Sequence, residues 1–562
     1  MISYEQLVQL IAHGETLNLE FKSDRRQISD REIYEEIVAM ANASGGTVLI
    51  GVEDNGTISG SQPRHGVSTD PIKLQSAIFN NTVPNINTRV FLIPTDAGPV
   101  IAIEVDPYPE PCAAMSGTAL RRVIGPDGKP QSLPFYPRDQ RSRRTDLGLL
   151  DFSAQEMEEL SFEDLDPLEF ERLRQMVANL RGDRALLELS DQEIAKALRL
   201  VESHGKKLVP NVAGILLLGR QEALRKSIPT HQVNFQVLDA RGDVKVNDLL
   251  DGPLIKTIQE IETRFAARNE ERETLIGMIR LPIPDYSPIG YREAVNNAIL
   301  HRDYSRLGAV YIQWQSDHIL ITNPGGLPAG ITPENILVHE PKPRNPRMAE
   351  AFRRIGLVEQ TGRGVDKIFM GQLRYARPAP DYSRCDSEGV RVVLRGGEAS
   401  LEFSAFVFEQ DQAGKFLQLD DLLVLNLLFF ERRIDLERTE KLIQKGESQA
   451  RALLERLHER GLIEGRGEKR GRVYILSGSL YQRLKMQAEY VRTKGLDPHE
   501  MEEKILVFAK ERGKITRGEA ANLCQLNGPQ AKRVLQKLTI KYPQFRLIGE
   551  RRGSYYIWDE IM

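Results

Sequence analysis

Short apolar runs separated by turn residues are the feature that most limits the folds open to this sequence. Over residues 1–110, LNLEFK, TVLIGV, RVFLI and PVIAIEV are typical of strands, and Ile28 to Ala43 is typical of a helix. No window approaches the ~18 uninterrupted apolar residues that cross a bilayer. We therefore expect a mixture of α/β and α+β structure and no membrane span.

The chain is too long for one domain, since it has 562 residues and a domain commonly takes about 100–200. Its last two segments each place short helices before a charged hairpin, which predicts a pair of winged-helix units. The predicted divisions are an N-terminal α+β domain over 1–150, a helical connector over 151–205, an α/β domain over 206–400, and winged helices over 415–480 and 497–562.

Charge and cysteine content narrow the classes of function. The chain has 76 Lys and Arg against 79 Asp and Glu, a formal charge of −3. This excludes a globally basic binder, whereas a local basic stripe would still engage phosphates. The 3 cysteines lie far apart and predict neither a disulfide framework nor a zinc site. With no secretory pattern at the N-terminus, we expect a cytoplasmic protein.

The first predicted strand carries a candidate metal site. LNLEFK alternates with period two, so Phe21 faces a core while Glu20 and Lys22 share the open face. Glu15 precedes them, and Asp54 ends TVLIGVED, where strand pairing would bring it near Glu20. Clustered carboxylates with a lysine can hold Mg²⁺ or Mn²⁺ at a phosphodiester. Spacing alone favours the alternative, a solvated polar face.

These segments are very similar to the Schlafen AlbA-type domain. The shared motifs are Glu-Phe-Lys, Ala-Asn-x-x-Gly-Gly and Ile-Gly-Val-x-Asp. In vertebrate Schlafens, which cleave tRNA and rRNA, three acidic residues carry cleavage; the resemblance places them at Glu15, Glu20 and Asp54, and Lys22 also matches. Many bacterial relatives are described only as DNA-binding or regulatory. Vertebrate Schlafen cores carry a second, inverted copy of this domain, and we see one copy in this sequence. The resemblance therefore implies a homo-oligomer in which a second subunit completes the site.

A second candidate site lies in YREAVNNAILHRDYS. On a helix, Glu293 and Asn297 are neighbours four residues apart. Burying such a run of polar residues costs free energy on a helix that also buries an apolar face, unless the run has polar partners. The alternative to a binding site is an amphipathic surface helix. The segment resembles the N-box of GHKL ATPases. That resemblance implies ATP, Mg²⁺ coordinated by Asn297, and a water-activating Glu293.

Two glycine-rich turns follow, ITNPGGLP and TGRGVDKI. The GHKL resemblance implies an α/β sandwich in which Asn323 and Gly325 lie at the adenine, while Gly362 and Gly364 wrap the phosphates. Asn323 replaces the family's Asp but can still accept a hydrogen bond from an adenine amino group. Backbone NH groups where a turn enters a helix suit phosphate. No Walker A sequence occurs, which excludes a helicase motor.

Clusters of basic residues predict nucleic-acid contacts. One cluster lies in the loop region before residue 150, and the other lies on the helices and wings of the C-terminal units, which would contact a major groove and its phosphates. The alternative is that these winged helices serve protein contacts or dimerisation. The predicted contact residues are Arg121, Arg122, Arg141, Arg143, Arg144, Arg470, Lys532 and Arg533.

Two functions of different classes remain open. The first is a metal-dependent Schlafen-type endoribonuclease, acting on tRNA or similar RNA under ATP control, in stress or anti-phage defence. The second is a non-catalytic, ATP-binding transcriptional regulator that binds DNA through its winged helices. The three matching carboxylates favour the first slightly, and the paired winged helices favour the second.

Overall fold

A computed structural model describes residues 3–125, 129–180, 182–276, 279–358, 363–396, 400–467, 472–486, 498–524, 528–549 and 554–559. The chain forms two compact units. The first comprises residues 1–270, 286–371 and 380–397; the second comprises residues 271–285, 372–379 and 398–562. The predicted domain over 206–400 is therefore divided between the two units.

The first unit begins with a four-stranded sheet of order β1-β2-β5-β4, in which β1 is parallel to β2 and the other pairs are antiparallel. All four strands overlap the segments predicted as strands, two of them starting one residue earlier, and α2 lies within the predicted helix. The elements are α1 (Tyr4–His13), β1 (Leu19–Lys22), α2 (Asp30–Ala41), β2 (Gly46–Ile50), α3 (Pro71–Asn80), β3 (Thr82–Val83), β4 (Thr88–Ile93), β5 (Val100–Val105), β6 (Ala113–Ala114), β7 (Leu120–Ile124), β8 (Pro130–Pro134) and α4 (Pro137–Asp146).

Both faces of this sheet are covered. Leu19 and Phe21 pack into the core that includes Leu7 of α1. Val48, which is paired with Glu20, packs on the opposite face with α2 and α3. The predicted open face is therefore wrong: Glu20 points toward α2 and is only 8% exposed.

The rest of the first unit contains a five-stranded sheet of order β12-β11-β15-β16-β17, in which only β11 and β15 pair in parallel. Helix α10 packs against β15, β16 and β17. The elements from residue 167 to residue 395, of which β13 and β14 belong to the second unit, are α5 (Pro167–Asn179), α6 (Asp191–Ala197), β9 (Val201–His204), β10 (Lys207–Pro210), α7 (Val212–Leu218), α8 (Gln221–Ser227), β11 (Val233–Leu238), β12 (Val244–Leu250), α9 (Leu254–Ala266), β13 (Glu271–Ile276), β14 (Ile279–Pro284), α10 (Pro288–Leu300), β15 (Val310–Trp314), β16 (His318–Pro324), α11 (Pro346–Ile355), α12 (Gly364–Leu373) and β17 (Gly389–Arg395).

The second unit contains the β13–β14 hairpin and two modules that each place three helices before a hairpin. In the first module Ile434 bridges to Tyr474, and in the second the strand order is β20-β22-β21. These are the element orders expected of winged helices. The elements are α13 (Leu401–Gln412), α14 (Leu419–Glu431), α15 (Leu436–Ile443), α16 (Glu447–Glu459), β18 (Ile463–Arg466), β19 (Val473–Leu476), α17 (Gly478–Arg483), α18 (Pro498–Arg512), β20 (Ile515–Thr516), α19 (Arg517–Cys524), α20 (Gly528–Lys541), β21 (Phe545–Ile548) and β22 (Tyr555–Trp558).

None of the helices among the described residues has the length and apolar character needed to span a membrane.

Candidate functional site

The predicted N-terminal site is an ion-paired cluster under the β7–β8 hairpin. Lys22 Nζ lies 2.7 Å from Glu20 Oε1 and 2.9 Å from Glu36 Oε1. Arg122 on β7 pairs with Glu20 Oε2, and Ser132 on β8 donates to Glu36 Oε2 at 2.9 Å. Both oxygens of Glu20 are therefore engaged by cationic groups of the protein.

The electrostatics follow from this geometry. Burial alone would raise the pKa of Glu20, but Lys22 and then Arg122 hold it below its ordinary value. Glu15 accepts a hydrogen bond from the Phe21 backbone NH at 3.0 Å. Burial, and then the charge of Glu20, raise the pKa of Glu15. The cluster therefore holds Glu20 ionised and disfavours a second negative charge beside it.

Asp54 does not join this cluster as a third metal ligand. Strand β2 ends at Ile50, and Gly51 has φ +97°, so the chain turns before Asp54, which is exposed. A Cβ at position 51 would lie 2.6 Å from the Gly60 carbonyl carbon. Across the described ranges, no three His, Cys, Asp or Glu residues are grouped so as to hold a metal ion. The predicted three-carboxylate site is not assembled here.

The basic residues before position 150 are mostly engaged within the protein. The Arg122 side chain is 1% exposed, so the prediction that it contacts nucleic acid is wrong for this structure. Arg143 donates to the carbonyls of Ala41, Ala43 and Tyr108, and Arg121 forms ion pairs. Two predicted contacts lie exposed on α4, namely Arg141 and Arg144.

Three of the residues predicted for the nucleotide site come together in the first unit. Glu293 and Asn297 lie on α10, and Glu293 is 1% exposed. Gly364, the first residue of α12, faces them: a Cβ there would lie 3.0 Å from Glu293 Oε2 and 3.6 Å from Asn297 Nδ2. Lys367 Nζ is 3.6 Å from Glu293 Oε1. Sequence reasoning missed Lys367, although residues three apart on a helix share a face and Gly364 was already a candidate.

The first glycine-rich turn lies at the end of β16. Gly325 has φ +91°, and Arg344 donates to the Gly326 carbonyl at 2.7 Å. A Cβ at Gly325 would overlap the Arg344 guanidinium and lie 2.7 Å from Asp303 Cβ. Asn323 is buried next to this turn. The predicted phosphate contact Gly362 lies outside the described residues.

These residues fit a magnesium nucleotide. At Gly364 the backbone closely approaches the Glu293 carboxylate and the Asn297 carboxamide, and an amide oxygen such as that of Asn297 is a hard ligand suited to Mg²⁺. These two side chains adjoin the start of the ten-residue helix α12, where backbone NH groups favour phosphate. The bound group would supply the phosphates and the divalent cation.

His301, which follows α10, makes stability depend on pH. Loss of hydration, followed by the charge of Arg344, lowers its pKa to about 4. The unfolded chain takes up this proton below about pH 6.5, so the neutral ring contributes stability that is lost as the pH falls from there toward 4. We expect urea unfolding to show this loss and His301→Gln to reduce it. An identical pH dependence in the variant would contradict the assignment.

The basic residues on the third helices of the two C-terminal modules differ in their ion-pair partners. On α16, Arg451 pairs with Glu447 and Arg456 pairs with buried Asp421. On α20, exposed cations form no ion pair with any residue that the structure describes; they are Lys532, Arg533 and Lys537. Arg470 lies outside the described residues. Three cations of α20 are therefore exposed to solvent, whereas Lys541 at its end pairs with Glu502, and Arg451 and Arg456 of α16 are paired within the protein.

Comparisons with known proteins find matches to three segments of the chain. Residues 15–125 match the family described as "Schlafen, AlbA_2", and residues 308–394 match "Putative ATP-dependent DNA helicase recG C-terminal". Residues 142–234 match a domain of unknown function, DUF8451. Comparison with curated proteins gives no match.

A solved structure, the DIP2311 protein from Corynebacterium diphtheriae, has a similar fold. The TM-score is 0.50 at 22% sequence identity, and the match covers 86% of this chain and 99% of that one. At this identity the likeness concerns the fold alone. The two domain matches suggest an ATP-dependent function related to nucleic acid. On this evidence the chain contains a Schlafen AlbA-type domain over residues 15–125 and an ATPase-like domain over residues 308–394.

Proposed function

We propose that this protein is an ATP-binding regulator that binds duplex DNA and whose affinity for DNA depends on the bound nucleotide. The observation that carries the proposal is the close approach of Gly364, at the start of α12, to Glu293 and Asn297 of α10: an added Cβ would lie 3.0 Å from Glu293 Oε2 and 3.6 Å from Asn297 Nδ2. Two polar side chains and a helix start therefore meet at one place, which we call the cradle. The N-terminal domain acts as a binding domain, because Glu20 is already neutralised by Lys22 and Arg122.

A titration of ATP with Mg²⁺ tests the nucleotide part. Asn297→Ala is expected to weaken magnesium-dependent binding at least tenfold, because the amide oxygen that would meet the cation is removed. Glu293→Gln is expected to retain binding and lose any hydrolysis, since a general base is removed while the cradle stays. Asn179→Ala, on the exposed end of α5, is the control. Equal ATP affinity in Asn297→Ala and Asn179→Ala would refute the site.

The proposed DNA binding rests on the basic residues of α20. Its exposed cations Lys532, Arg533 and Lys537, which have no ion-pair partner among the described residues, suit phosphates. Arg451 and Arg456 of α16 instead pair with carboxylates. Each phosphate contact contributes about 0.9 to the slope of log affinity against log salt. The double variant Lys532→Ala/Arg533→Ala is expected to reduce that slope by nearly two, and Arg451→Ala to leave it unchanged. Equal slopes for all three proteins would assign the α20 surface to another role.

A metal-dependent endoribonuclease is the second candidate, because Glu15 and Glu20 interact electrostatically close to Lys22. Completion of the metal site would then depend on Asp54 moving toward the pair, or on a second copy of the chain. Incubation with total tRNA, with and without Mn²⁺ and ATP, separates the two functions. Cleavage that is lost in both Glu20→Gln and Asp54→Asn would establish the nuclease. Binding without cleavage in every condition would leave the regulator.

A further inference from the structure

Four charged side chains close a ring between the N-terminal domain and the ATPase-like domain, both within the first unit. Arg121 of β7 lies 3.8 Å from Asp139 of α4 and 3.3 Å from Glu388. Arg306 lies 3.7 Å from the same Asp139 and 3.0 Å from the same Glu388. We call these four residues the ion ring. Each cation contacts both anions, so moving one member disturbs two pairs.

The ion ring connects directly to the nucleotide site through Asp303. Arg306 Nε lies 3.3 Å from Asp303 Oδ2, and Ser142 of α4 donates to the same oxygen at 2.5 Å. The Asp303 backbone NH donates to the Pro324 carbonyl at 2.9 Å, and its Cβ borders Gly325. A nucleotide that shifts the turn at Gly325 therefore acts on a residue bonded to the ring and to α4.

The ion ring also connects to the Glu20 cluster. Arg121 and Arg122 are consecutive on β7, and consecutive strand residues point to opposite faces. One of them joins the ring while the other holds Glu20 and donates to the carbonyls of Thr16 and Leu19. A displacement of β7 through Arg121 must therefore move Arg122.

We propose that nucleotide occupancy is transmitted through Asp303 and the ion ring to β7, where Arg122 acts as the positioning residue of Glu20. The proposal rests on the nucleotide binding proposed above. The element that responds is the β7–β8 hairpin, which carries both Arg122 and the Ser132 that donates to Glu36. Because coupling between sites is reciprocal, any ligand that displaces the β7–β8 hairpin in response to ATP changes ATP affinity by the same factor.

Hydrogen–deuterium exchange of the full-length protein, with and without saturating ATP and Mg²⁺, tests this coupling. We expect ATP to change exchange in residues 16–22 and 120–124 by at least threefold. Glu388→Gln, whose side chain is 64% exposed, is expected to fold, bind ATP within twofold of the wild-type affinity, and lose that change. Arg121→Gln, which removes a cation of the ion ring, is likewise expected to bind ATP and to lose the change in exchange.

The control is Arg89→Gln, which breaks exposed ion pairs with Glu104 and Asp106 in the same domain but outside the ring. It is expected to retain the ATP response. ATP binding without any change at residues 16–22 and 120–124 would overturn the coupling alone. So would an unchanged response in both ring variants. A protein that binds no ATP would overturn the proposed function together with the coupling.

Discussion

Arg122→Ala is expected to lower the free energy of unfolding of the N-terminal domain by about 3–5 kcal/mol, the range for removing one partner of a buried ion pair. The substitution leaves Glu20 buried without one of its two cations. It also removes the donors that satisfy the carbonyls of Thr16 and Leu19. This is the largest stability change that we expect from a single basic residue near the cluster.

Hydrogen exchange of β1 in increasing urea measures this loss within the domain concerned. Arg144→Ala is the matched control, because it lies exposed on α4 and surface substitutions usually change stability by less than about 0.5 kcal/mol. The paired variant Glu20→Gln/Arg122→Met is expected to recover the part of the loss that comes from the unpaired charge, since a buried ion pair can be replaced by neutral groups at little cost. The part that comes from the carbonyls of Thr16 and Leu19 remains, because Met has no donor. A loss below about 1 kcal/mol in Arg122→Ala would show that Glu20 is not held as described.

Gly325→Ala is expected to weaken ATP binding by at least tenfold. A left-handed backbone costs a non-glycine residue about 1–2 kcal/mol, and overpacking adds about 1–3 kcal/mol. The overlap falls on Arg344, which cannot easily withdraw because it is buried and donates to the Gly326 carbonyl. The turn or Arg344 must therefore move, and with it the predicted adenine site.

Gly242→Ala separates the overlap from the backbone strain. Gly242 has φ +86°, close to that of Gly325, but a Cβ there meets nothing within 4 Å. Calorimetric titration of ATP is expected to give wild-type affinity for this control. If both variants bind ATP equally well, the turn at Gly325 does not line the nucleotide site.

The sequence was sufficient to predict those features that depend on a local pattern of residues. Period-two alternation predicted that Phe21 faces a core, and spacing by four placed Glu293 and Asn297 on one helical face. Alternation could not show that the face carrying Glu20 is covered, because the covering hairpin lies about a hundred residues later in the chain. Nor did the apolar run TVLIGV reveal that Gly51 ends the strand before Asp54, since glycine also occurs within strands.

In the middle of the chain, family motifs predicted more of the candidate site than hydrophobic periodicity did. Gly364 was identified through a family resemblance, and the structure places it against Glu293. Motifs gave no warning that residues 271–285 and 372–379 group with the second unit, because membership of a unit depends on contacts distant in sequence. Asp303 was likewise missed, since its partner Ser142 lies 161 residues earlier in the chain.

The interleaving of the two units has a consequence for how the protein is made. The chain passes between units five times, after residues 270, 285, 371, 379 and 397. During translation the segment 271–285 leaves the ribosome long before residues 398–562, so the second unit waits for its final part while the first unit can already fold. A nascent chain arrested near residue 400 would present the early segments of the second unit without their partners, as would a protein truncated there. Chaperone binding during synthesis is therefore expected to concentrate on these two short segments.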